Sequence, residues 1–500
     1  MDHNIELSPN PLIQYLDKPA VDFTKADIIR YIEDNGIEMV NFRYVGGDGR
    51  LKELNFVVNS IQQLDNILSG GERVDGSSLF AVIETGSSDR YVIPRFRTAF
   101  LNPFSEIPTL DILCSFYNKY GDPWQNAPEN ILHQAHTALT KQTGYTMEAM
   151  GELEYYVLSK HDDLYGASDQ CGYHEAEPFS KFGEFRKEAM LAIAQAGGNV
   201  KYGHSEVGNF NLDGYIYEQN EIELNPVNLE NAADQLVIAK WILRTLASRY
   251  GFTVTFAPKI TVGKAGSGLH IHARLMKDSK NMIIKDGNLS DVALKMIAGW
   301  IDLAPSLTAF GNTNPTSYFR LVPHQEAPTN ISWGDSNRSV LVRVPLGWRN
   351  NINMSKKANP LEKDAPVNFS DKQTIEFRSP DGSADVYLLL AGLAVAARHG
   401  FEMENALDLA KKTYVDGDIF QKKNSDIAST LAILPSSCWE SAAVLQKQKE
   451  IYLKHNVFSK EVIDYFINNM KKYNDQGIRE LLSFNQEELP KLVNQFFHCG

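Results

Sequence analysis

This sequence predicts an α+β protein of two parts: a small N-terminal unit and a larger domain whose strands line a polar funnel. Three observations support that reading. Helix and hairpin signals alternate through the first 117 residues; ionisable residues recur two apart in four distant strand-like stretches; and after Glu376 the chain turns helical to its end.

Residues 1–20 read as an extension, because Pro9, Pro11 and Pro19 discourage regular structure. Thr24-Lys25-Ala26-Asp27 has the form of a capping box, opening a helix that carries Ile28, Ile29 and Ile32 and stops at Gly36. In 39–45, Val40, Phe42 and Tyr44 alternate with Asn41 and Arg43. Gly46-Gly47-Asp48-Gly49 then turns the chain, and 51–58 returns as the second arm of a hairpin. A helix at 60–68 and a strand at 110–114 complete the first unit. Gly121-Asp122-Pro123 marks a boundary, which sets an extension at 1–20, a first domain at 21–117 and a second at 118–500. Helices are predicted at 128–141, 182–196 and 232–250, the last with Leu236, Ala239, Leu243 and Leu246 on one stripe. The longest apolar run, 386–397, is too short to span a membrane and reads as a buried helix, followed by a helical tail from about 400.

Composition excludes several functions. With 43% apolar residues among 500, the chain can bury a large core. A net charge of −13 without a basic run argues against nucleic acid, whose phosphates need a positive surface. Cys114, Cys171, Cys438 and Cys499 form no C-x-x-C pair and are too sparse for a disulfide scaffold, which fits a reducing cytoplasm. The first residues lack the charge and apolar run of a signal peptide. A cytoplasmic protein without a membrane partner is expected.

Chemistry concentrates in the funnel. In 150–158, Glu152 and Glu154 share one face of a strand while Leu153 and Tyr155 point to the core. An isolated pair of this kind would be an edge strand facing solvent. Recurrence changes the reading, because Glu221-Ile222-Glu223, His270-Ile271-His272 and Glu376-Phe377-Arg378 repeat the design. Glu152, Glu154, Glu206, Glu221 and Glu376, with His204, His270 and His272, are candidate metal ligands. A carboxylate-rich set suits Mg²⁺ or Mn²⁺ and is large enough for two ions. Arg320, Arg338, Arg343 and Arg378 form a cationic set able to clamp phosphate or carboxylate oxygens opposite the metals. Gly263-Lys264-Ala265-Gly266-Ser267-Gly268-Leu269-His270 matches neither nucleotide-binding glycine motif, and reads as a flexible loop delivering a ligand histidine to a strand.

In this order the stretches resemble glutamine synthetase of the type I bacterial branch, from about Asp22 to the end. Asp75-Gly76-Ser77-Ser78, Glu152-Leu153-Glu154, His204-Ser205-Glu206, Asn220-Glu221 and the run 266–272 are similar to family motifs. So are the run 320–328, Asn337-Arg338-Ser339 and Ile375-Glu376-Phe377-Arg378. The resemblance implies an N-terminal β-grasp domain, a larger α/β catalytic domain with an antiparallel β funnel at the subunit interface, and a homododecamer of two stacked hexamers. It implies ATP-dependent ligation of ammonia to the γ-carboxylate of L-glutamate through γ-glutamyl phosphate. By position, Glu154, Glu206 and Glu221 would hold one metal, and Glu152, His270 and Glu376 the second. Arg320 and Gly266 would meet glutamate, Arg343 its reacting carboxylate, and Arg338, Arg378 and His272 the ATP phosphates. Asp75 of a neighbouring subunit would deprotonate ammonium in a pocket with Ser78, Tyr173 and Glu206, and Glu326 would shield the intermediate from water.

Three departures from the family pattern stand out: Ala265 where asparagine is usual, Thr374 where an arginine is frequent, and a longer segment between Arg343 and Glu376 that contains Trp348. No match to the adenylylated regulatory segment Asn-Leu-Tyr-Asp-Leu is present. The nearest rival activity is ligation of an organic amine, such as a polyamine, on the same fold. A scaffold without catalysis predicts lost ligands, and none of the six metal positions is lost. A metal-dependent phosphohydrolase leaves the Asp75 loop and Glu326 unexplained.

Overall fold

The structure, a computed structural model, describes residues 3–83, 88–322, 327–347, 354–363, 372–419, 429–482 and 488–500. Its first sheet grows from the hairpin of β1 (Met39–Val45) and β2 (Leu51–Val57), registered with Met39 opposite Val57. The sheet adds β3 (Glu72–Asp75), β4 (Asp89–Pro94), β5 (Phe100–Leu101) and β6 (Thr109–Tyr117), in the order β2-β1-β6-β4-β3 with β5 on β6. Only the β1–β6 pairing is parallel. The helix Lys25–Asp34 opens with both arms of the predicted capping box, and Ser60 caps Ile61–Gly70.

Residues 1–20 are not the irregular extension expected. Asn10 caps a helix at Pro11–Leu16, where Pro11 occupies the first position and its missing N–H costs nothing. Leu12 and Leu16 then enter the same apolar core as Ile28, Val40, Phe42 and Ile112.

The second sheet is assembled from β7 (Thr146–Lys160), β8 (Val200–Leu212), β9 (Tyr215–Leu224), β10 (Val227–Asn228), β11 (Thr253–Thr255), β12 (Leu269–Lys277) and β13 (Lys280–Asn281). A separate short pair, β14 (Ile284–Lys285) and β15 (Asn288–Leu289), precedes its last strands, β16 (Trp333–Asp335), β17 (Val342–Val344) and β18 (Ile375–Phe377). Its order is β16-β17-β18-β12-β7-β9-β8, with β10 and β11 on β7 and β13 on β12. β7, the longest strand, lies at its centre. Leu153 and Tyr155 are fully buried on one face against the helix Leu229–Tyr250, and the other face lines the polar cavity.

Two helices close the large core. Asp291–Gly311 and Val386–Glu402 cross where Gly299 meets Gly400; a Cβ at Gly299 would overlap the Ala396 carbonyl oxygen, and one at Gly400 that of Lys295. Asp291–Gly311 is long and apolar enough to cross a membrane by length and composition, yet most of it is buried inside the core. The expected apolar helix at 386–397 runs on to Glu402.

Candidate active site

Strand register brings the predicted residues together. Glu152 on β7 lies opposite His270 on β12 and Glu223 on β9; Glu154 lies opposite Glu221, which is itself opposite His204 on β8. On the other flank, Glu376 lies opposite His272 and opposite Arg343. Cross-strand neighbours on one face sit about 5 Å apart, so adjacent strands suffice to build the cluster.

The first cluster centres on Glu152. One carboxylate oxygen lies 2.8 Å from Nε2 of His272 and the other 3.0 Å from Nδ1 of His270. Glu376 receives Nη1 of Arg343 at 2.9 Å on one oxygen and Nε of Arg378 at 3.0 Å on the other. Burial opposes the charge on Glu152, but the two imidazoles outweigh it and hold the carboxyl well below its usual range. In Glu376 the same burial is outweighed first by Arg378. Burial pushes His270 down, whereas the Glu152 carboxylate overcomes burial and raises His272. Nε of Arg343 is buried with no hydrogen-bond partner among the described residues. A donor left dry in this way fits an anionic oxygen.

Glu152, His272 and Glu376 each bring a ligand atom within 4.8 Å of the others. The resemblance had put His270 in that set. In the structure Nε2 of His270 lies 3.3 Å from Nη2 of Arg320, a group that can only donate, so Nδ1 carries the proton and donates to Glu152. His270 borders the same trio: its Nδ1 lies 3.0 Å from Glu152 and 3.6 Å from Glu376, so both imidazoles face this pair of carboxylates.

The second cluster is His204, Glu206 and Glu221, likewise within 4.8 Å. Nε2 of His204 is 3.3 Å from Glu221, and burial lowers the imidazole below its ordinary value. Burial, then Glu152, Glu154, Glu206 and Glu223, push the Glu221 carboxyl well up. This excess of buried carboxylate over cation is the condition that a bound divalent ion relieves, and the oxygen-rich donor set suits Mg²⁺ or Mn²⁺. Glu154, expected in this set, lies opposite Glu221 and accepts the Gly268 N–H at 2.6 Å and Nε2 of Gln219 at 3.1 Å, both on Oε2.

The glycine-rich loop is not the flexible segment the sequence suggested. Tyr156 donates to the Ala265 carbonyl at 2.8 Å, Gln219 to the Gly266 carbonyl at 3.0 Å, and Ala265 N–H to Gln170 at 2.7 Å. Ser267 N–H reaches the Pro258 carbonyl at 3.0 Å, and Lys259 holds the Lys264 carbonyl. Its glycines serve close approach: a Cβ on Gly266 would lie 2.5 Å from the Pro258 oxygen, and one on Gly268 would overlap Nη2 of Arg320. Arg320 is buried, its guanidinium donating to the carbonyls of Ser379 at 2.8 Å and Pro380 at 3.2 Å.

On the other side of the cavity, burial opposes the charge on Arg338, but the Tyr173 hydroxyl beside it raises the guanidinium above its ordinary value. The Tyr173 ring stacks on His174, with centroids 4.1 Å apart, and meets His204 edge-on at 5.5 Å. Arg378 donates to the Arg338 carbonyl. Asp75 ends β3 in the first sheet. Its carboxylate accepts the Ser77 N–H at 3.0 Å and the hydroxyls of Ser77 and Ser78 at 2.7 and 2.6 Å, which hold it down to about 2. Glu326 and Trp348 lie outside the described residues, as does most of 346–371. Thr374 donates to, or accepts from, Nδ1 of His272 at 3.0 Å.

Sequence reasoning overlooked Gln219, and it gave no role to Glu223, which pairs with Lys201 at 2.6 Å. The signal was present: Gln219, Glu221 and Glu223 are spaced two apart on β9 and share the cavity face. His174 and Gln170 carried no local signal.

A shared cavity of carboxylates and imidazoles, facing arginines and set on a mixed α+β frame, defines a class of metal-dependent enzymes that handle anionic substrates. The model of the glutamine synthetase β-grasp domain matches residues 36–119, and that of the glutamine synthetase catalytic domain matches 125–483. The chain belongs to the glutamine synthetase family, the glutamate–ammonia ligases. Glutamine synthetase of Nostoc sp. is 27% identical over 479 residues, covering 89% of this chain and 94% of its own. That of Aquifex aeolicus is 27% identical over 484 residues, covering 91% and 96%. Among solved structures, Plasmodium falciparum glutamine synthetase superposes with a TM-score of 0.75 at 21% identity, covering 93% of this chain and 98% of its own. A structure described as apo GmaS without ligand gives 0.71 at 19% identity, covering 91% and 97%. At these identities the superpositions speak for the fold.

Proposed function

We propose that this protein joins ammonia to the γ-carboxylate of L-glutamate, using ATP and passing through γ-glutamyl phosphate. The observation that carries the reading is the meeting of Glu152, His272 and Glu376 with Arg343 and Arg378 in one cavity. A divalent ion held by Glu152, His272 and Glu376, and another by His204, Glu206 and Glu221, would neutralise phosphate oxygens and polarise the transferred group.

A carboxylate is a poor electrophile. In the first step a γ-carboxylate oxygen bonds to the γ-phosphorus of ATP as the bond to ADP breaks. Arg343, with its buried Nε–H in need of an acceptor, and Arg378 take up the charge that spreads over the transferring oxygens. Arg338 stands on the same side, against Tyr173. Arg320 and the backbone at Gly266 receive the amino-acid end of glutamate.

In the second step ammonia attacks the acyl carbon and inorganic phosphate leaves. Ammonium must first lose a proton, and Asp75 of a neighbouring subunit is the acceptor in this reading, with Ser78, Tyr173 and Glu206 around the cation. In this reading Asp75 is delivered from another copy, in a dodecamer of stacked hexamers. Glu326 shields the acyl phosphate from water. The cytoplasm supplies ATP and suits the four unpaired cysteines.

A second reading, ligation of an organic amine, is favoured by two observations. Ala265 removes a polar side chain from the loop, and Tyr173 leaves 47% of its surface open. ATP turnover with glutamate, measured against ammonium, hydroxylamine, ethanolamine and polyamines, tests both. Turnover with ammonium well above the others supports the first reading; a preference for a bulky amine overturns it in favour of the second.

A further inference from the structure

The segment that carries Tyr173 lies along an irregularity in β8. The β8–β9 register shifts between Ser205 and Asn209, so Glu206, Val207 and Gly208 leave the regular ladder. Gln170 N–H donates to the Asn209 carbonyl at 3.0 Å, Cys171 N–H to the Asn209 side chain at 3.0 Å, and His174 N–H to the Ser205 carbonyl at 2.9 Å. Bulges of this kind re-aim side chains beside active sites, and this one presents Glu206. The attached segment is strained: Gln170 and His174 both hold φ at 58°, a left-handed conformation unusual for such residues.

Gln170 also faces the other way. Its Oε1 accepts the Ala265 N–H at 2.7 Å, while its Nε2 donates to the Asn209 carbonyl at 3.1 Å. One half-buried side chain thus ties the glycine-rich loop to the bulge of Glu206, three residues from Tyr173. Beside it, Lys264 pairs with Asp169. The Ala265 side chain is a methyl group, so it offers no hydrogen bond of its own to hold the loop.

We infer that Gln170 is a positioning residue: it fixes the distance between the glutamate-binding loop at Ala265 and Gly266 and the acceptor wall at Tyr173 and Glu206. This inference rests on the proposed placement of glutamate and of the acceptor. It acts through backbone geometry, with no contact to substrate. The strained segment is held at one end by β8 and at the other by the loop. Release of the Ala265 N–H lets both sides relax, so glutamate binding weakens before the chemical step does.

The full-length protein is compared as wild type, Gln170→Ala and Gln170→Glu. Gln170→Ala loses the hydrogen bond from the Ala265 N–H, whereas the carboxylate of Gln170→Glu still accepts it and gives up only the donation to the Asn209 carbonyl. Loss of that bond is expected to raise KM for glutamate about 10-fold with a smaller change in kcat, and Gln170→Glu is expected to recover most of it. Amide hydrogen exchange of a 263–268 peptide, which needs no catalysis, should quicken in Gln170→Ala and return in Gln170→Glu. Unchanged exchange in Gln170→Ala overturns the clamp whatever the activity. Faster exchange with unchanged KM for glutamate overturns the positioning role. Absence of glutamate-dependent ATP turnover in the wild type overturns the underlying functional reading instead, and the positioning role with it.

Discussion

Arg320 donates to Nε2 of His270 across 3.3 Å, and in doing so decides which nitrogen of that ring faces Glu152. The guanidinium is locked by backbone carbonyls, so the tautomer is set by the frame rather than by the ligand. Gly268 makes room for this pairing, since a Cβ there would overlap Nη2 and lie 2.9 Å from Nε2. Gly268→Ala is therefore expected to displace Arg320 and weaken Mn²⁺ binding by about 10-fold. A titration of Mn²⁺ by electron paramagnetic resonance checks this, and wild-type affinity would count against a supporting role for the pair.

Glu376 is flanked by two guanidinium groups and shares a candidate ion site with Glu152 and His272. Glu376→Gln keeps the shape but leaves Arg343 and Arg378 without their buried anion. Loss of a buried partner typically costs about 3–5 kcal/mol, so both a lower melting temperature and loss of one bound ion are expected. Calorimetry and metal titration on the same sample measure the two effects. A variant that keeps both would remove Glu376 from the site.

Asp75 is exposed, and the hydroxyls of Ser78 and Ser77 keep it ionised at any pH near neutrality. Asp75→Asn is expected to depress ammonium use by about 100-fold while ATP binding stays within a few-fold. Steady-state kinetics with ammonium varied, beside nucleotide binding measured alone, separates the two. Equal losses in both would make Asp75 structural.

Glu129 supplies a pH test away from the site. It opens the helix Pro128–Thr143 and accepts the Phe116 N–H of β6 at 2.8 Å. Burial pushes its carboxyl up to about 7 from an ordinary 4.5. The native state therefore keeps a proton that the unfolded chain releases. This contribution is fully present below pH 4.5 and is lost as pH rises through 7. Glu129→Gln removes the penalty and is expected to gain on the order of 2 kcal/mol over wild type at pH 8, allowing for partial solvent access, and nothing at pH 4. Urea unfolding midpoints across that range give the answer.

Much of this architecture was legible in the sequence because it rests on short-range rules. The Thr24–Asp27 capping box and the β1–β2 hairpin depend on residues a few positions apart. The sharing of one face by Glu152 and Glu154 follows from the pleat alone. Pro11 misled because a proline that breaks a helix inside starts one at its first position, and only the packing of Leu12 and Leu16 shows which applies.

The sequence by itself determined that carboxylates, imidazoles and arginines would meet on strands of an α+β protein, because side-chain alternation is a property of the backbone. Only the tertiary structure decided the partners. Arg320, fifty residues further on, meets Nε2 of His270, which leaves Nδ1 of that ring turned to Glu152 and Glu376 beside His272. The glycine-rich loop is firm because Tyr156, Gln170 and Gln219 converge on it from separate segments. Such contacts depend on strand register and on a bulge in β8, and both are set by long-range packing that no local pattern encodes.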